Sequence, residues 1–289
     1  MTIGEFEIQN KGYTAFIPSI FPPKEGFKFS AKLIQKANKA TLLLGKLNGI
    51  VTLTPDLDFF LFTSLVNDVT IPQTARDEIL HHFHVLDFAL EQIANFPLSL
   101  KMIKALHKQL LHAAHTTHFS NPGKFRKDQN WINGTSYFNA SYVPPPAEHV
   151  SRCLMDLIKF FRRKDGILPI IKAGIIFAQF ETIHPFWDGN GRTGRLLLVL
   201  YLWSENLIEC PIFFMAPFFK AKKQDCYRCL NQYRQNKLEP WLLYFIDIMM
   251  ETTLHAIDKG KEMRKLQPNE ADRENTDEYW LQRIKLQPF

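Results

Sequence analysis

Apolar residues recur every three to four positions along most of this chain, which is the pattern of amphipathic α-helices. Two stretches interrupt the pattern: the first thirty residues, rich in Pro, Phe and Gly, and the polar segment 120–146, which contains four prolines. The recurrence predicts helices at about 30–47, 56–68, 74–94, 97–118, 147–164, 168–183, 191–205, 218–236 and 238–260. The first stretch is expected to be an extended arm that packs through Phe16, Phe21, Phe27 and Phe29.

A β-hairpin is predicted inside the second interruption. The segment WINGTSYFNASYV, residues 131–143, places Asn-Gly beside residues of high strand propensity, which is the usual signal for a tight turn between two strands. Together with the helical periodicity, this signal predicts an all-α fold class, a helical bundle with a β-hairpin flap.

Composition narrows the class of protein. The 289 residues are 46% apolar and include 25 phenylalanines, enough for a substantial globular core. A formal charge of +6 without a long Lys/Arg run disfavours a nucleic-acid partner. The first residues lack the basic and apolar regions of a signal peptide, and Lys172 interrupts the longest apolar helix. The expectation is a cytoplasmic protein without a membrane partner.

The cysteine and histidine patterns predict neither a disulfide framework nor a zinc site. The CxxC pair Cys226 and Cys229 lies within a helical pattern, and no second CxxC or spaced histidine pair accompanies it. Helix-packed thiols are therefore expected. His112, His115 and His118 recur at helical spacing without a neighbouring acid or cysteine, which favours a polar helix end over a metal site.

The segment HPFWDGNGRTGR, residues 184–195, is the most informative part of the chain. The apolar helix before it should end near Pro185, because a proline pushes the residue before it out of the α region. His184 is therefore expected at the C-terminus of that helix. The next helix is expected to begin directly after the turn 188–191.

That turn has the features of an anion site. Its glycines permit positive φ angles and close approach of a ligand, and the exposed N–H groups of the following helix attract negative charge. Arg192 and Arg195 are three residues apart, so they share a helix face and can both reach a polyphosphate. The alternative is a Gly/Asn turn between core helices whose arginines are merely solvated. The presence of His184 before the turn favours phosphate chemistry.

The segment resembles the signature of the Fic family, HxFx(D/E)GNGRxxR, at every specified position: His184, Phe186, Asp188, Gly189, Asn190, Gly191, Arg192 and Arg195. Similarity to the longer, multi-helix Fic proteins of bacteria extends from about Tyr13 to about Phe245. It includes YTAFIPSIFPP near the N-terminus, GKLNG at 45–49, PGKFRKDQNWING at 122–134 and YVPPP at 142–146. The resemblance implies a Fic-type bundle with an N-terminal region over 1–100, a Fic core over 101–250 and a helical tail over 251–289.

The resemblance implies a protein adenylyltransferase, which transfers AMP from ATP to a hydroxyl side chain of a target protein. In this role His184 is the general base and Asp188 is the ligand of a Mg²⁺ ion that bridges two phosphates. Arg192 would hold the β-phosphate and Arg195 the γ-phosphate. Gly189, Asn190 and Gly191 would bind phosphate oxygens.

Two further contacts are implied by the resemblance. Tyr227 occupies the place of an aromatic beside the nucleotide base, although an aromatic at helical spacing is also a common core residue. The flap would pair with the target segment as an added strand, which positions the target hydroxyl near His184. The matching flap residues are Tyr137, Phe138, Asn139, Ala140, Ser141 and Tyr142.

Many Fic proteins carry an inhibitory helix of pattern (S/T)xxxE(G/N), whose glutamate pairs with the second signature arginine. The aligned segment begins at Thr63 and has Asn67 in place of the glutamate, and a neutral amide cannot form the charge-assisted pair. Asp68 in a shifted register and Glu274 near the C-terminus are the alternatives. The prediction is a degenerate inhibitory helix with weak or absent autoinhibition.

Two other functions stay open on the sequence. The first is a Fic-fold phosphotransferase or another nucleotidyl or phospho-group transferase, against which the intact Arg195 weighs. The second is a catalytically silent nucleotide-binding regulator, against which the intact His184 and Asp188 weigh. The expected partners are ATP and an unidentified target protein, and a homo-oligomer is left open.

Overall fold

The computed structural model describes residues 2–53, 85–112, 121–209 and 215–266. Over these residues the chain is predominantly helical, which confirms the all-α fold class. Residues 85–95 are helical as well. The remaining helices are α1 (Ala31–Thr52), α2 (Leu100–His112), α3 (Ala147–Arg162), α4 (Pro169–Ile183), α5 (Asn190–Ser204), α6 (Ala216–Ala221), α7 (Lys223–Arg234) and α8 (Leu238–Leu266).

Helix α4 lies at the centre of the bundle. The helix carries apolar side chains on all of its faces, so neighbouring elements must cover every face. Helices α3, α5, α7 and α8 pack against it. Gly174 allows α8 to approach closely, because a Cβ at this position would lie 2.8 Å from the Phe245 ring. Trp241 of α8 fixes the crossing by donating from Nε1 to the Gly174 carbonyl at 2.8 Å. The functional loop therefore starts from a helix in which every residue from Ile170 to Ile183 is buried.

The N-terminal arm contains a two-stranded antiparallel sheet, formed by β1 (Gly4–Ile8) and β2 (Thr14–Pro18). The expected packing of the arm is confirmed, since Phe16 and Phe21 are buried and Phe27 and Phe29 pack against the core. The pairing of the two strands was not predicted. Because the backbone N–H of Phe16 donates to the Val143 carbonyl at 3.0 Å, the arm also braces the segment predicted as the flap.

That segment, here called the flap loop (residues 131–142), forms a single antiparallel bridge, Ile132 with Tyr142. The expected Asn-Gly turn is present, with φ values of 56° at Asn133 and 83° at Gly134. Beyond the turn, Oδ1 of Asn139 accepts from the backbone N–H groups of residues 135 and 136 at 3.0 and 2.9 Å. This side-chain contact takes donors that strand pairing would need, so the segment is a compact loop and the hairpin of the structure lies in the arm.

The helix boundaries agree with the periodicity in most places. The predicted helix 218–236 is divided at Lys222, where φ is −112°, and α8 continues six residues beyond the predicted end at 260. The three described cysteines, Cys153, Cys226 and Cys229, are free thiols on helices, as expected. The predicted helix 56–68 lies outside the described residues, as do Thr63, Asn67, Asp68 and Glu274.

Helix α8 runs across the predicted domain boundary at residue 250 and packs along α1. Helix α1 of the N-terminal region therefore packs against the same helix that continues into the tail. In the described ranges, no helix is long and apolar enough to cross a membrane.

Candidate active site

His184 marks the end of α4, as the sequence predicted. Its backbone is left-handed, with φ 47° and ψ 61°, and its N–H donates to the Phe180 carbonyl at 3.0 Å. A non-glycine residue in this region is strained, and such strain persists only where neighbouring contacts fix the backbone. The side chain is thereby directed away from the helix axis at the entrance to the loop.

Arg126 supplies several of the contacts that fix this backbone. Its Nε donates to the His184 carbonyl at 2.9 Å, and its own N–H donates to the Pro185 carbonyl at 3.0 Å. The guanidinium also reaches the carbonyls of Ile183 and Pro145. Burial lowers the pKa of Arg126 to about 10, so the group remains a cation at neutral pH beneath the histidine.

Two asparagine side chains hold the backbone N–H and carbonyl of Phe186. The Asn190 side chain accepts from the Phe186 N–H and donates to the Phe186 carbonyl, both at 2.9 Å, and Asn130 donates to the same carbonyl at 3.0 Å. Both asparagines are buried, and so is the Phe186 ring. A phosphate contact from Asn190 would therefore come from its backbone N–H, while its side chain fixes the loop.

His107 of α2 holds the backbone carbonyl of Asp188. Its Nδ1 accepts from the Gly123 N–H at 2.9 Å, so the ring proton is assigned to Nε2, which donates to the Asp188 carbonyl at 2.9 Å. The ring stacks on Phe186 with centroids 3.5 Å apart and an interplanar angle of 1°. Burial lowers the pKa of His107 to about 4, so the ring is neutral at pH 7 and the tautomer is fixed.

The N-terminus of α5 is left available to an anion. Gly189 precedes it with φ 78°, and a Cβ there would lie 3.2 Å from Nε2 of His107, so glycine is required for two reasons. Because Gly189 has no side chain to cap the helix, the first N–H groups of α5 rely on water or a ligand. Thr193 instead bonds the Gly189 carbonyl through both its N–H and its hydroxyl.

The first turn of α5 gathers the charged residues of the signature. Asp188 accepts from the Gly189 N–H at 2.6 Å through Oδ1, and its Oδ2 lies 3.3 Å from Nη2 of Arg192. The Asp188 side chain is 44% exposed, so this carboxylate faces solvent. The Arg195 guanidinium folds back over Gly191, where a Cβ would lie 3.3 Å from Nη1. The loop therefore brings one acid and two arginines to the same helix start.

His184 and Glu181 form an unusual ionisable pair at the end of α4. Nδ1 of His184 lies 3.9 Å from Oε2 of Glu181. Burial, with the charges of Arg126 and Arg234, lowers the pKa of His184 to about 3. Burial raises the pKa of Glu181 to about 7, although Arg195 and Arg234 oppose that shift. At neutral pH the imidazole is an uncharged proton acceptor.

Arg234 of α7 connects three parts of the site. Its Nη2 donates to the Glu181 carbonyl at 3.3 Å, and Nη1 donates to the Asn231 side chain at 2.9 Å. The guanidinium lies 3.4 Å from the ring centroid of Tyr142, whose hydroxyl donates to the Thr182 carbonyl at 2.7 Å. The end of α4, helix α7 and the flap loop are thus held as one unit.

An open, polar cavity of about 430 Å³ lies between α7 and the flap loop. Tyr227 lines it in a half-buried position, with Nζ of Lys223 5.6 Å from the ring centroid. The other lining residues are Asn133, Ser141, Gln224, Arg228, Asn231, Gln232 and Gln235. Tyr227 therefore belongs to a cavity wall and not to the sealed core.

The flap loop presents some side chains and buries others. Tyr137 packs on Tyr13 of the arm, with centroids 4.5 Å apart, while Phe138 is 66% exposed. Tyr142 is buried, so its side chain anchors the loop.

Several residues of this site were not singled out by the sequence. They are His107, Arg126, Asn130, Glu181 and Arg234. Arg126 and Asn130 lie in the segment PGKFRKDQNWING, but charged and polar residues in a Gly/Pro-containing stretch look like solvated loop positions. His107 lies within the pattern of an amphipathic helix, and the local sequence around a single histidine does not indicate which distant groups it contacts.

A half-buried histidine at a helix end, followed by an uncapped helix N-terminus with two arginines, has the features of an anion-binding loop. Residues 97–202, which contain this loop, match the model of the Fic/DOC family. The chain therefore carries a Fic/DOC domain over residues 97–202.

Relatives and solved structures agree with this assignment. A probable protein adenylyltransferase of Aquifex aeolicus is 37% identical over 92 residues, 32% of this chain and 27% of the relative. The protein adenylyltransferase Fic of Nematostella vectensis is 28% identical over 211 residues, 69% of this chain and 45% of the relative. This chain thus spans less than half the length of either relative.

The fold is also that of solved Fic proteins. A Fic family protein from Desulfovibrio desulfuricans G20 has a TM-score of 0.62 and 18% identity, covering 84% of this chain and 78% of its own. Fic-1 from C. elegans, residues 134–508, has a TM-score of 0.60 and 20% identity, covering 80% and 74%. At these identities the likeness shows the fold alone.

Proposed function

We propose that this protein is a protein adenylyltransferase that transfers AMP from ATP to a hydroxyl side chain of a target protein. The supporting observation is the placement of a neutral His184 shortly before the uncapped start of α5, with Asp188 in the turn before that helix and Arg192 and Arg195 on it. Both named relatives are adenylyltransferases, which supports the same reaction.

The reaction requires one proton transfer and one displacement at phosphorus. The target hydroxyl oxygen attacks the α-phosphorus of ATP, its proton passes to His184, and the bond from the α-phosphorus to pyrophosphate breaks. Negative charge grows on the leaving pyrophosphate. Arg192, Arg195 and the N–H groups at the start of α5 stabilise that charge, because they are already fixed in place before the reaction.

A Mg²⁺ ion fits the residues present at Asp188. In the described ranges, no three His, Cys, Asp or Glu side chains form a metal cage. Mg²⁺ is usually held by one or two carboxylates together with substrate phosphates and water, so one exposed carboxylate beside a phosphate site is a suitable donor set. Mg²⁺ bound there would neutralise part of the pyrophosphate charge. Asp188 would then exchange its contact with Arg192 for the metal.

The cavity between α7 and the flap loop is the proposed site for the adenine base. It has an aromatic wall, Tyr227, and amide side chains that can hydrogen-bond a base edge, such as Asn133 and Asn231. Residues 137–141 of the flap loop, of which Phe138, Asn139 and Ser141 are exposed, form the proposed docking edge for the target protein. These assignments rest on the cavity and on the exposure of Phe138.

Mass spectrometry tests the reaction directly. The protein and a cell lysate are incubated with ATP and Mg²⁺, with His184→Asn protein as the matched control. We expect an AMP adduct on protein with the wild type and none with the variant. A phosphate adduct would establish phosphotransfer instead, and absence of any adduct would favour a silent regulator.

A further inference from the structure

Two buried polar atoms at the end of α4 lack hydrogen-bond partners in the structure as described. They are Nδ1 of His184 and Oε1 of Glu181. Burial of a polar atom without a hydrogen bond is costly, so a pair of such atoms in one site needs an explanation. The two residues are one helical turn apart, and Oε2 of the same carboxylate lies 3.9 Å from Nδ1.

The burial of Nδ1 decides which nitrogen of His184 can meet a substrate. The His184 side chain is 17% exposed while Nδ1 is sealed from solvent, so the accessible acceptor is Nε2. For Nε2 to accept a proton, the neutral ring must carry its hydrogen on Nδ1. That hydrogen points into the protein interior, where Glu181 offers two acceptors: its backbone carbonyl and its carboxylate, whose Oε2 lies 3.9 Å from Nδ1.

The charges around His184 also indicate Glu181 as its partner. When Nε2 takes a proton, an imidazolium forms in a buried position beside the cations Arg126 and Arg234, both of which disfavour it. An anion against Nδ1 would offset this repulsion. Glu181 is faced by Arg195 of α5 and by Arg234 and Cys226 of α7, and the two arginines favour its ionised form.

The small size of Gly194 in α5 leaves space for the Glu181 carboxylate. A Cβ on Gly194 of α5 would lie 2.8 Å from Oε1 of Glu181, so a larger residue there would displace the carboxylate. Gly194 lies outside the signature turn and needs no positive φ. Its small size therefore has a specific effect on Glu181.

We propose that Glu181 is a positioning residue for His184: its carboxylate accepts the Nδ1 hydrogen, directs Nε2 to the target hydroxyl and balances the imidazolium charge. The proposal rests on the proposed function of His184 as the base. A movement of about 1 Å converts the 3.9 Å contact into a hydrogen bond, and such contacts often tighten only when substrate binds.

The tautomer of His184 is the first test and needs no activity. Protein labelled with ¹⁵N-histidine is examined by NMR at neutral pH, and the His184 signals are assigned by their loss in His184→Asn. We expect the Nδ1–H tautomer in the wild type and in Glu181→Gln, whose amide oxygen can still accept, and its loss in Glu181→Leu. An Nε2–H tautomer in the wild type, or an unchanged tautomer in Glu181→Leu, would overturn the proposal.

Kinetics then test the charge. Glu181→Gln retains the shape and the acceptor but not the charge, so we expect kcat to fall about ten- to hundred-fold, because a neighbouring opposite charge shifts a pKa by about 1–3 units. KM for ATP should not change. Because the pKa of Glu181 is raised to about 7, wild-type kcat should rise with pH through that value, and the variant should lack this rise.

Matched controls separate the possible failures. Glu205→Gln removes a carboxylate at the far end of α5, where Glu205 pairs with Lys164, and should leave kcat and the pH profile unchanged. Wild-type kcat in Glu181→Gln would contradict the role of the charge. If wild-type protein transfers no AMP, the proposed function fails, whereas the tautomer measurement still decides the role of Glu181. A thermal unfolding curve for each variant identifies one that has lost its fold.

Discussion

In two histidines of this protein, the fully buried His107 and the half-buried His184, burial lowers the pKa, to about 4 and about 3. Their partners differ. His107 uses both ring nitrogens in hydrogen bonds of 2.9 Å and stacks on Phe186. His184 has a strained backbone and an Nδ1 without a partner. His107, with both ring nitrogens hydrogen-bonded, holds the backbone, whereas Nε2 of His184 is left to accept a proton.

The loop contains the same two kinds of group, those that hold the backbone and those that are left to face a ligand. Residues 184–188 are held through their backbone groups by His107, Arg126, Asn130 and Asn190. The Asp188 side chain and the start of α5 are left to face a ligand. This division predicts that substitutions at the first set change geometry and stability, while substitutions at the second set change turnover.

Loss of His184 should have the largest effect. His184→Asn keeps a side chain that tolerates the left-handed backbone and removes the base, so AMP transfer should fall by about 10²–10⁴-fold. Transfer is measured with ATP labelled on the α-phosphate. The control His149→Asn replaces a half-buried histidine of α3 and should retain activity. Activity within a few-fold of wild type in His184→Asn would remove the distinction between the two histidines.

Loss of Asp188 should come next. Asp188→Ala should reduce Mg²⁺-dependent turnover by roughly 10²-fold, the usual scale for one preorganised electrostatic contact. Thermal stability should change little, because the side chain is 44% exposed. Asp258→Ala breaks a comparable exposed pair with Lys261 of α8 and serves as the control for both measurements. A large fall in Tm for Asp188→Ala would show that this residue holds the fold.

A smaller effect is expected from the predicted inhibitory segment. Asn67→Glu restores a carboxylate that can compete with the γ-phosphate for Arg195, so AMP transfer should fall by about ten-fold. Asp68→Ala and Glu274→Ala should change it little. A large rise in transfer in either alanine variant would show that the inhibitory contact is intact and lies at that residue.

His107→Phe should affect stability more than turnover. The stacked ring is retained, but the Gly123 N–H and the Asp188 carbonyl lose their partner, which should cost about 2–4 kcal/mol of unfolding free energy. Activity should fall by only a few-fold at temperatures where the variant is folded. Denaturant unfolding and AMP transfer are measured on the same samples. Unchanged stability would contradict a role in holding the loop.

The same histidine predicts a dependence of stability on pH. An unfolded histidine has a pKa of about 6.5, and burial lowers the pKa of His107 to about 4, so the folded state favours the neutral ring. Its contribution is complete above about pH 6.5 and is lost as the pH falls towards 4. Wild-type protein should therefore lose more unfolding free energy than His107→Phe between these pH values. Parallel curves for the two proteins would contradict the assignment.

The sequence predicted those parts of the site that depend on local chemistry. The end of α4 at His184 follows from Pro185, and the start of α5 follows from the glycine turn. His107 and Arg126 could not be found in this way, because their partners lie 81 and 58 residues away in the chain. The flap loop departs from the expected hairpin because one side chain, Asn139, competes for backbone donors.

The most direct test of the central claim compares two labels on ATP. Wild-type and His184→Asn protein are incubated with Mg²⁺ and ATP labelled on either the α- or the γ-phosphate, and label on protein is counted. We expect α-label on protein with the wild type, no γ-label, and neither label with the variant. Transfer of γ-label by the wild type, or full α-label transfer by the variant, would contradict this expectation.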